Sequence, residues 1–423
     1  MASWVVVLLA AGACSSGADG GSAGSGPPEG SIRFQLAGDP EEIVVYESLV
    51  QSFEKAYPEV DVEMVPISDK DDHLAKLTTT FSAGTPPDVF LVNFREYSQF
   101  VVRGALEPVE PHLDDIGISL DDYYEQPVEA FTYDDEVQCM PQNISSLAVY
   151  YNQRLFKQAG VDKPEEGWSW EDFRSTAIAL TNGDVRGVGI EPSIIRLAPF
   201  VWSNGGDIVD DLESPTRFTL EEPEAREALE FFMQLAREDE VIPTEEEVAA
   251  AEDLETMFAT GKLGMLLTSR RDTPEFREVT ELAWDVAPLP VAGEPAGILH
   301  SDAYCVSREA SNVDAALAFV SFAAGKRGQT ITALGGRTVP SLESVANSGA
   351  FLDPTRPPKS SQVFLDSVSS IRRTPVIPTW PEIEDVAQEI LTRAFYEPGY
   401  TVETAIEEIE AQTTDLFAEA QVE

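Results

Sequence analysis

Basic residues are scarce in this sequence: 28 Lys and Arg stand against 75 Asp and Glu, a formal net charge of −47. Phosphates would be repelled by so acidic a chain, which excludes nucleic acid as a partner. With only three cysteines and three histidines, the chain has too few ligands for a zinc cluster. It carries no phosphate loop, no His-Glu-x-x-His, no Gly-x-Ser-x-Gly elbow between a strand and a helix, and no internal repeat. What remains is ordinary for a globular protein. The hydrophobic share of 43% rules out a disordered acidic chain, and 423 residues are too many for one core. Two lobes are expected. The acidic residues are spread along the whole chain, which reads as a solvated coat that aids solubility and not as one cation site.

Organisation centres on Val137–Asn152. Two apolar runs, Val137–Met140 and Leu147–Tyr151, are joined by a short polar link. Pro141 removes a backbone donor and fixes its own φ, which suits a crossing between sheets. Before the link, Ile32–Leu36, Val60–Val65 and Asp88–Val92 read as strands, and Glu41–Tyr57 and Asp71–Ala83 as helices. This β-α-β-α-β order predicts an α/β doubly wound lobe, with ligands beyond the carboxyl ends of the strands, at Gly38–Glu42 and Asn93–Tyr97. After the link, Arg154–Ala159 is a short helix closed by Gly160, and Ser169 with Asp172 forms a capping box. Phe200–Asp207 reads as a loop with an aromatic ahead of a turn. Pro223 opens an amphipathic helix. Leu254–Thr260 is a further helix, Leu263–Leu267 a strand, and Ile298–Ser307 a second crossing. Helices are expected over Ser311–Ala324, Ile383–Tyr396 and Val402–Ala420.

The start of the chain reads as an address. Trp4–Ala13 is a short apolar run, too short to span a bilayer as a helix of about 20 residues, and it fits a signal-peptide core. Ala11-Gly12-Ala13-Cys14 resembles the lipobox of bacterial lipoproteins, in which the cysteine is acylated. Ala11 stands where that box prefers Leu, and no Lys or Arg precedes the apolar run. The Gly/Ser-rich stretch to Gly30 then serves as a flexible tether. With Cys14 lipidated, Cys139 and Cys305 remain, either as a disulfide or as two buried thiols.

Several blocks, in order, resemble the extracellular solute-binding proteins, family 1, of bacterial sugar ABC transporters, similar in type to maltose-binding protein. They are Gly84-Thr85-Pro86-Pro87-Asp88-Val89, Met140-Pro141-Gln142-Asn143, Ala148–Gly160, Asn204-Gly205-Gly206, Phe258–Met265, Trp284–Pro290 and Ala315–Phe319. The resemblance implies a two-lobed periplasmic-binding fold, type II-like, each lobe a doubly wound, mostly parallel sheet. It divides the chain into a signal peptide (1–13), a tether (14–30), lobe I (31–140 and 303–349) and lobe II (141–302 and 350–423). It also places Cys139 and Cys305 on neighbouring crossing strands, which implies the disulfide. The implied function is capture of a sugar by hinge closure and delivery to membrane permease subunits. The implied form is a monomer anchored outside the cell membrane by Cys14, with no cofactor and no metal.

A sugar offers a flat apolar face to aromatics and hydroxyl pairs to polar groups. The expected stacking residues are Phe94, Tyr97, Trp202, Tyr304 and Trp380. Asp39 and Asp302 are expected to accept hydroxyl pairs, and Arg270 or Arg337 to donate a fork to a diol. Asn93, Asn143, Asn204 and His300 complete the expected set, while His73 and His112 lie in acidic contexts that suggest no role. Two other classes are weighed. A polyamine or other cationic solute would suit acidic and aromatic groups, but two arginines in the set oppose it. A glycoside-active enzyme would need carboxylates at a defined separation, and Asp121-Asp122 or Asp134-Asp135 in loops do not supply one.

Overall fold

The computed structural model describes residues 27–421, so Cys14, the signal segment and most of the tether lie outside it. In the first strand, Gly30–Ala37, Ile32, Phe34 and Leu36 are buried. It pairs in parallel with Val60–Ile67 on one side and Val89–Asn93 on the other. Between the first two strands runs the helix Pro40–Ala56, which starts where Asp39 accepts from the Glu42 backbone N–H and Pro40 takes the first turn. Tyr46, Leu49, Val50 and Phe53 of that helix close over the sheet. Asp302–Ser307 enters next to Val89–Asn93 in the antiparallel sense and carries Leu106–Glu107 and Met140–Pro141 beside it.

A second sheet has the order Trp284–Ala287, Leu147–Asn152, Leu263–Ser269, Arg186–Gly189. Parallel pairing is confined there to Leu263–Ser269 with Arg186–Gly189. Both sheets are therefore mixed and not mostly parallel, because strands that follow or precede a crossing run against their neighbours. The helices Ile194–Ser203, Pro223–Arg237, Trp380–Tyr396 and Val402–Ala420 share one core with this second sheet.

The chain leaves the first sheet through Pro141–Ser145 and returns through His300–Asp302, and the two passes are laced together. Gln142 N donates to Asp302 O at 2.8 Å, and Ser145 and His300 exchange both backbone hydrogen bonds at 2.9 Å. Thr338–Ser341 lies alongside, with Ile144 N donating to Val339 O at 2.8 Å. Cys139 and Cys305 face each other at the start and end of the excursion and form the disulfide.

Several elements differ from expectation. Val137–Met140 is not one strand: Glu136–Val137 turns back on Thr132–Tyr133 through Asp134 and Asp135, both left-handed at φ 51° and 60°. Adjacent left-handed residues make the tight turn whose twist matches a hairpin. Phe200–Asp207 is not a loop up to Ser203, since Ile194–Ser203 is helical with Pro199 inside it. Its nearly continuous burial explains this, because tertiary contacts override the breaker. Lys326–Gly335 is a helix that the sequence reading left out. Gly160, at φ 70°, ends the Gln153–Ala159 helix in the left-handed conformation that only glycine adopts freely.

Candidate functional site

The site lies where the carboxyl ends of the first-sheet strands face the end of Leu263–Ser269. Asp39 does two things at once. Its Oδ1 accepts from the Glu42 backbone N–H at 2.9 Å, and its Oδ2 accepts from Arg337 Nη1 at 2.6 Å. Arg337 Nε lies 3.0 Å from Glu42 Oε2, so one guanidinium clamps both carboxylates. Burial still dominates at Glu42 and pushes its pKa up to about 7; Arg337 opposes the rise, and Asp302 and Asp39 add to it.

A second group lies on the strand ends and the two passes. Asp302 Oδ1 accepts from Asn93 Nδ2 at 3.1 Å, its Oδ2 from Asn143 Nδ2 at 3.0 Å, and its own N–H donates to Asn143 Oδ1 at 3.0 Å. Asn93 Oδ1 accepts from Arg95 Nε at 3.1 Å, and Arg95 Nη1 donates to Glu384 Oε2 at 2.9 Å. The Glu384 carboxylate also takes the Trp380 indole N–H at 2.5 Å. This chain ties the first sheet, both passes and the Trp380–Tyr396 helix into one unit.

Between the sheets opens a cavity of about 340 Å³. Asp39, Glu42, Tyr46, Arg337 and Thr338 line one side, Arg271, Asp272, Pro274 and Glu275 the other, and Gln142 lies on the crossing segment. Its size is at the lower end of the range of about 300–1,000 Å³ for small-molecule sites. Paired carboxylates and guanidinia on both walls suit a ligand rich in hydroxyls.

Of the expected site residues, Asp39 and Arg337 meet at the cavity, and Asn93, Asn143 and Asp302 bond to one another at the passes without lining it. His300 belongs to the return pass; burial, with Arg95 and Arg196 nearby, holds its pKa well below the usual imidazole range. The ring is neutral, and its Nε2 has no partner among the described residues.

The aromatic set does not assemble into a platform. Phe94, Tyr97, Tyr304 and Trp380 are each 0% exposed. Tyr97 packs on Phe131, Tyr304 lies against Phe34 and Phe319, and Trp380 against Phe218 and Phe417. Trp202 is buried on the last turn of its helix, with the Arg372 guanidinium 4.8 Å from its ring centroid. These rings went to the cores because large apolar surface gains most there. Asn204 donates to Glu224 O and Glu227 Oε2, both at 3.0 Å, and so fastens two helices together.

Arg270 also turns inward. It donates to Gly336 O at 3.0 Å and Ser361 Oγ at 3.1 Å, and its guanidinium sits 4.4 Å from the Phe351 ring centroid. No carboxylate faces it, and burial drives its pKa down to about 9. The next residue, Arg271, points to the cavity. The sequence reading missed Arg271, Gln142 and Thr338, and it placed Glu42 at the rim, within Gly38–Glu42, without naming it as a site residue. Glu42 carried one signal, since it sits three residues after a capping aspartate at a strand's carboxyl end.

His73 holds Leu91 O at 3.0 Å through Nε2 and approaches Gln35 Nε2 at 3.4 Å, a structural role. Among the described residues there is no group of three or more metal-ligating side chains.

Two sheets joined by adjacent passes, with a polar cavity at the joint, define a two-lobed binding protein of the maltose-binding type. A model of bacterial extracellular solute-binding proteins matches residues 48–358, and the chain belongs to that family. A putative binding protein of Brucella abortus (strain 2308) is 24% identical over 367 residues, covering 84% of this chain and 85% of the relative. Among solved structures, the ABC substrate-binding protein Lmo0181 from Listeria monocytogenes, in complex with cycloalternan, superposes with a TM-score of 0.84 at 24% identity. That match covers 92% of this chain and 99% of the other. UgpB from Mycobacterium tuberculosis, in complex with glycerophosphocholine, gives a TM-score of 0.80 at 20% identity, covering 95% of this chain and 100% of the other. Among the described residues no helix is long and apolar enough to cross a membrane.

Proposed function

We propose that this chain is the extracytoplasmic substrate-binding component of an ABC importer and captures a mono- or short oligosaccharide between its lobes. The carrying observation is the cavity at the crossing segments, where Asp39, Glu42 and Arg337 face Arg271. Contacts from both walls favour a closed form, which would then deliver the solute to membrane permease subunits. Asp39 and Arg337 are the first ligand contacts in this reading, and Asn93, Asn143 and Asp302 hold the two passes together. The lobes divide near residues 140, 302 and 349. Cys14 would carry the lipid anchor, and the protein would work as a monomer without turning over glycosides.

The same fold taking a polyamine is the weaker reading: Arg271 and Arg337 on opposite walls oppose it, although Asp39, Glu41, Glu42, Asp272 and Glu275 on the same lining would attract a cation. The cycloalternan complex of the Listeria protein supports the sugar, and the glycerophosphocholine complex of UgpB adds a polar diester to the candidates. A thermal-shift panel tests this: a ligand present at about 100 times its Kd adds about 2.7 kcal/mol. Glucose, maltose, trehalose, xylose, glycerophosphocholine and spermidine form the panel, with compaction read by solution scattering. A melting point raised by spermidine and by no carbohydrate would overturn the proposal.

A further inference from the structure

One group in the cavity wall is left out of the hydrogen bonding. Gln142 is 1% exposed, and neither its Oε1 nor its Nε2 has a partner among the described residues. Thr338 is 7% exposed, lines the same cavity, and its Oγ1 is unpartnered as well. A buried polar group left without a partner is destabilising. Amides close by are satisfied: Asn143 pairs with Asp302, and Gln329 donates to Ser341 Oγ at 2.6 Å while accepting from Leu342 N–H at 3.0 Å. His300 Nε2 on the return pass is unpartnered too, but among the described residues with such atoms only Gln142 and Thr338 line the cavity.

Gln142 cannot retreat, because its backbone N–H is held by Asp302 O at 2.8 Å. Its last side-chain torsion is broad, so the amide can swing toward the cavity. There it would present an acceptor and a donor side by side. A carboxylate or phosphate ligand would satisfy only the NH2 and would meet Asp39 and Glu42. An ammonium would satisfy only the oxygen and leave the NH2 without an acceptor. Two hydroxyls on adjacent carbons answer both atoms and carry no charge.

We infer that Gln142, assisted by Thr338, is a specificity-determining contact that chelates a vicinal diol of the bound carbohydrate at the hinge end of the cavity. The inference rests on the sugar-binding reading above and narrows it to ligands with an unblocked diol. Neither residue was named as a site residue, since Gln142 is one of several polar residues in the link after Pro141 and Thr338 is an isolated threonine after Arg337.

The test is calorimetric titration of the full chain with glucose, maltose, trehalose and xylose, for the wild type, Gln142→Met and Thr338→Val. Gln142→Met keeps the length and removes both polar atoms. It is expected to weaken the best-binding sugar at least tenfold while leaving the melting point of the free protein unchanged or higher. Thr338→Val is expected to weaken it a few-fold. If Gln142→Met does not fold, Gln142→Glu keeps the shape, removes the donor, and is expected to show the same loss. Affinity within twofold of wild type in the folded variant would overturn the inference and leave the sugar reading intact. A wild type that binds none of the four sugars would remove both.

Discussion

Two polar clusters share the crossing segments and differ in how fully they are paired. Around Asp302 both carboxylate oxygens are engaged, and the bonding runs on through Asn93 and Arg95 to Glu384. A few residues away, the Gln142 amide and the Thr338 hydroxyl have no partner among the described residues. Adjacent arginines differ in exposure and not in pairing: Arg270 is 1% exposed and bonded inside the fold, while the Arg271 side chain is 67% exposed at the cavity, its Nε donating to Asp272 Oδ1 at 3.1 Å. Saturated groups set the geometry of the hinge, and unsaturated ones are kept for a solute.

The contrast can be broken from the saturated side first. Cys139→Ala with Cys305→Ala opens a loop with a sequence separation of 166 and should cost about 4 kcal/mol of stability by urea titration, with sugar affinity retained. Arg270→Ala strips Gly336 O and Ser361 Oγ of their donor and leaves a gap beside Phe351, for a loss of about 3 kcal/mol on the same measurement. On the open side the balance reverses. Arg271→Ala should change stability by less than about 0.5 kcal/mol yet weaken ligand binding about tenfold, or about 1.4 kcal/mol, by calorimetry.

The smallest effect depends on pH. The folded pKa of Glu42, about 7, stands above the ordinary carboxyl value of 4.5, so the folded state binds more protons between those values. Its contribution is thus most favourable below pH 4.5 and is lost as pH rises through 7. Glu42→Gln, which keeps Arg337 paired to Asp39, should therefore gain stability over wild type at pH 8, by about 1 kcal/mol, and the gain should vanish by pH 4.5. Paired melting curves across that range would check it, and a gain of equal size at both ends would contradict the assignment.

Strand and helix order was readable because it depends on local patterns. The alternation in Ile32–Leu36, the Ser169–Asp172 capping box and Pro223 at a helix start each act within a few residues, and each is found. Both crossings and the disulfide also came from local runs joined to a family resemblance. The cleft was harder, because its lining depends on which way a side chain faces after two distant segments meet. Trp380 looked available between two prolines, but the Val402–Ala420 helix, through Phe417, and Phe218 cover it. Arg270 and Arg271 are indistinguishable in composition, and only the register of the preceding strand, buried along its whole length, decides which one enters the core. Asp39 was legible since it both caps a helix and ends a strand turn. Gln142 was not, because a missing partner leaves no mark in a sequence.

The Cys139–Cys305 bond turns the whole excursion between those residues into a closed covalent ring. Outside a cell, a protease that cuts one exposed loop of that ring leaves both pieces attached to the same molecule. The nicked protein would run as one band without reductant and as two with it, and it could go on working after damage that would split an unbridged chain.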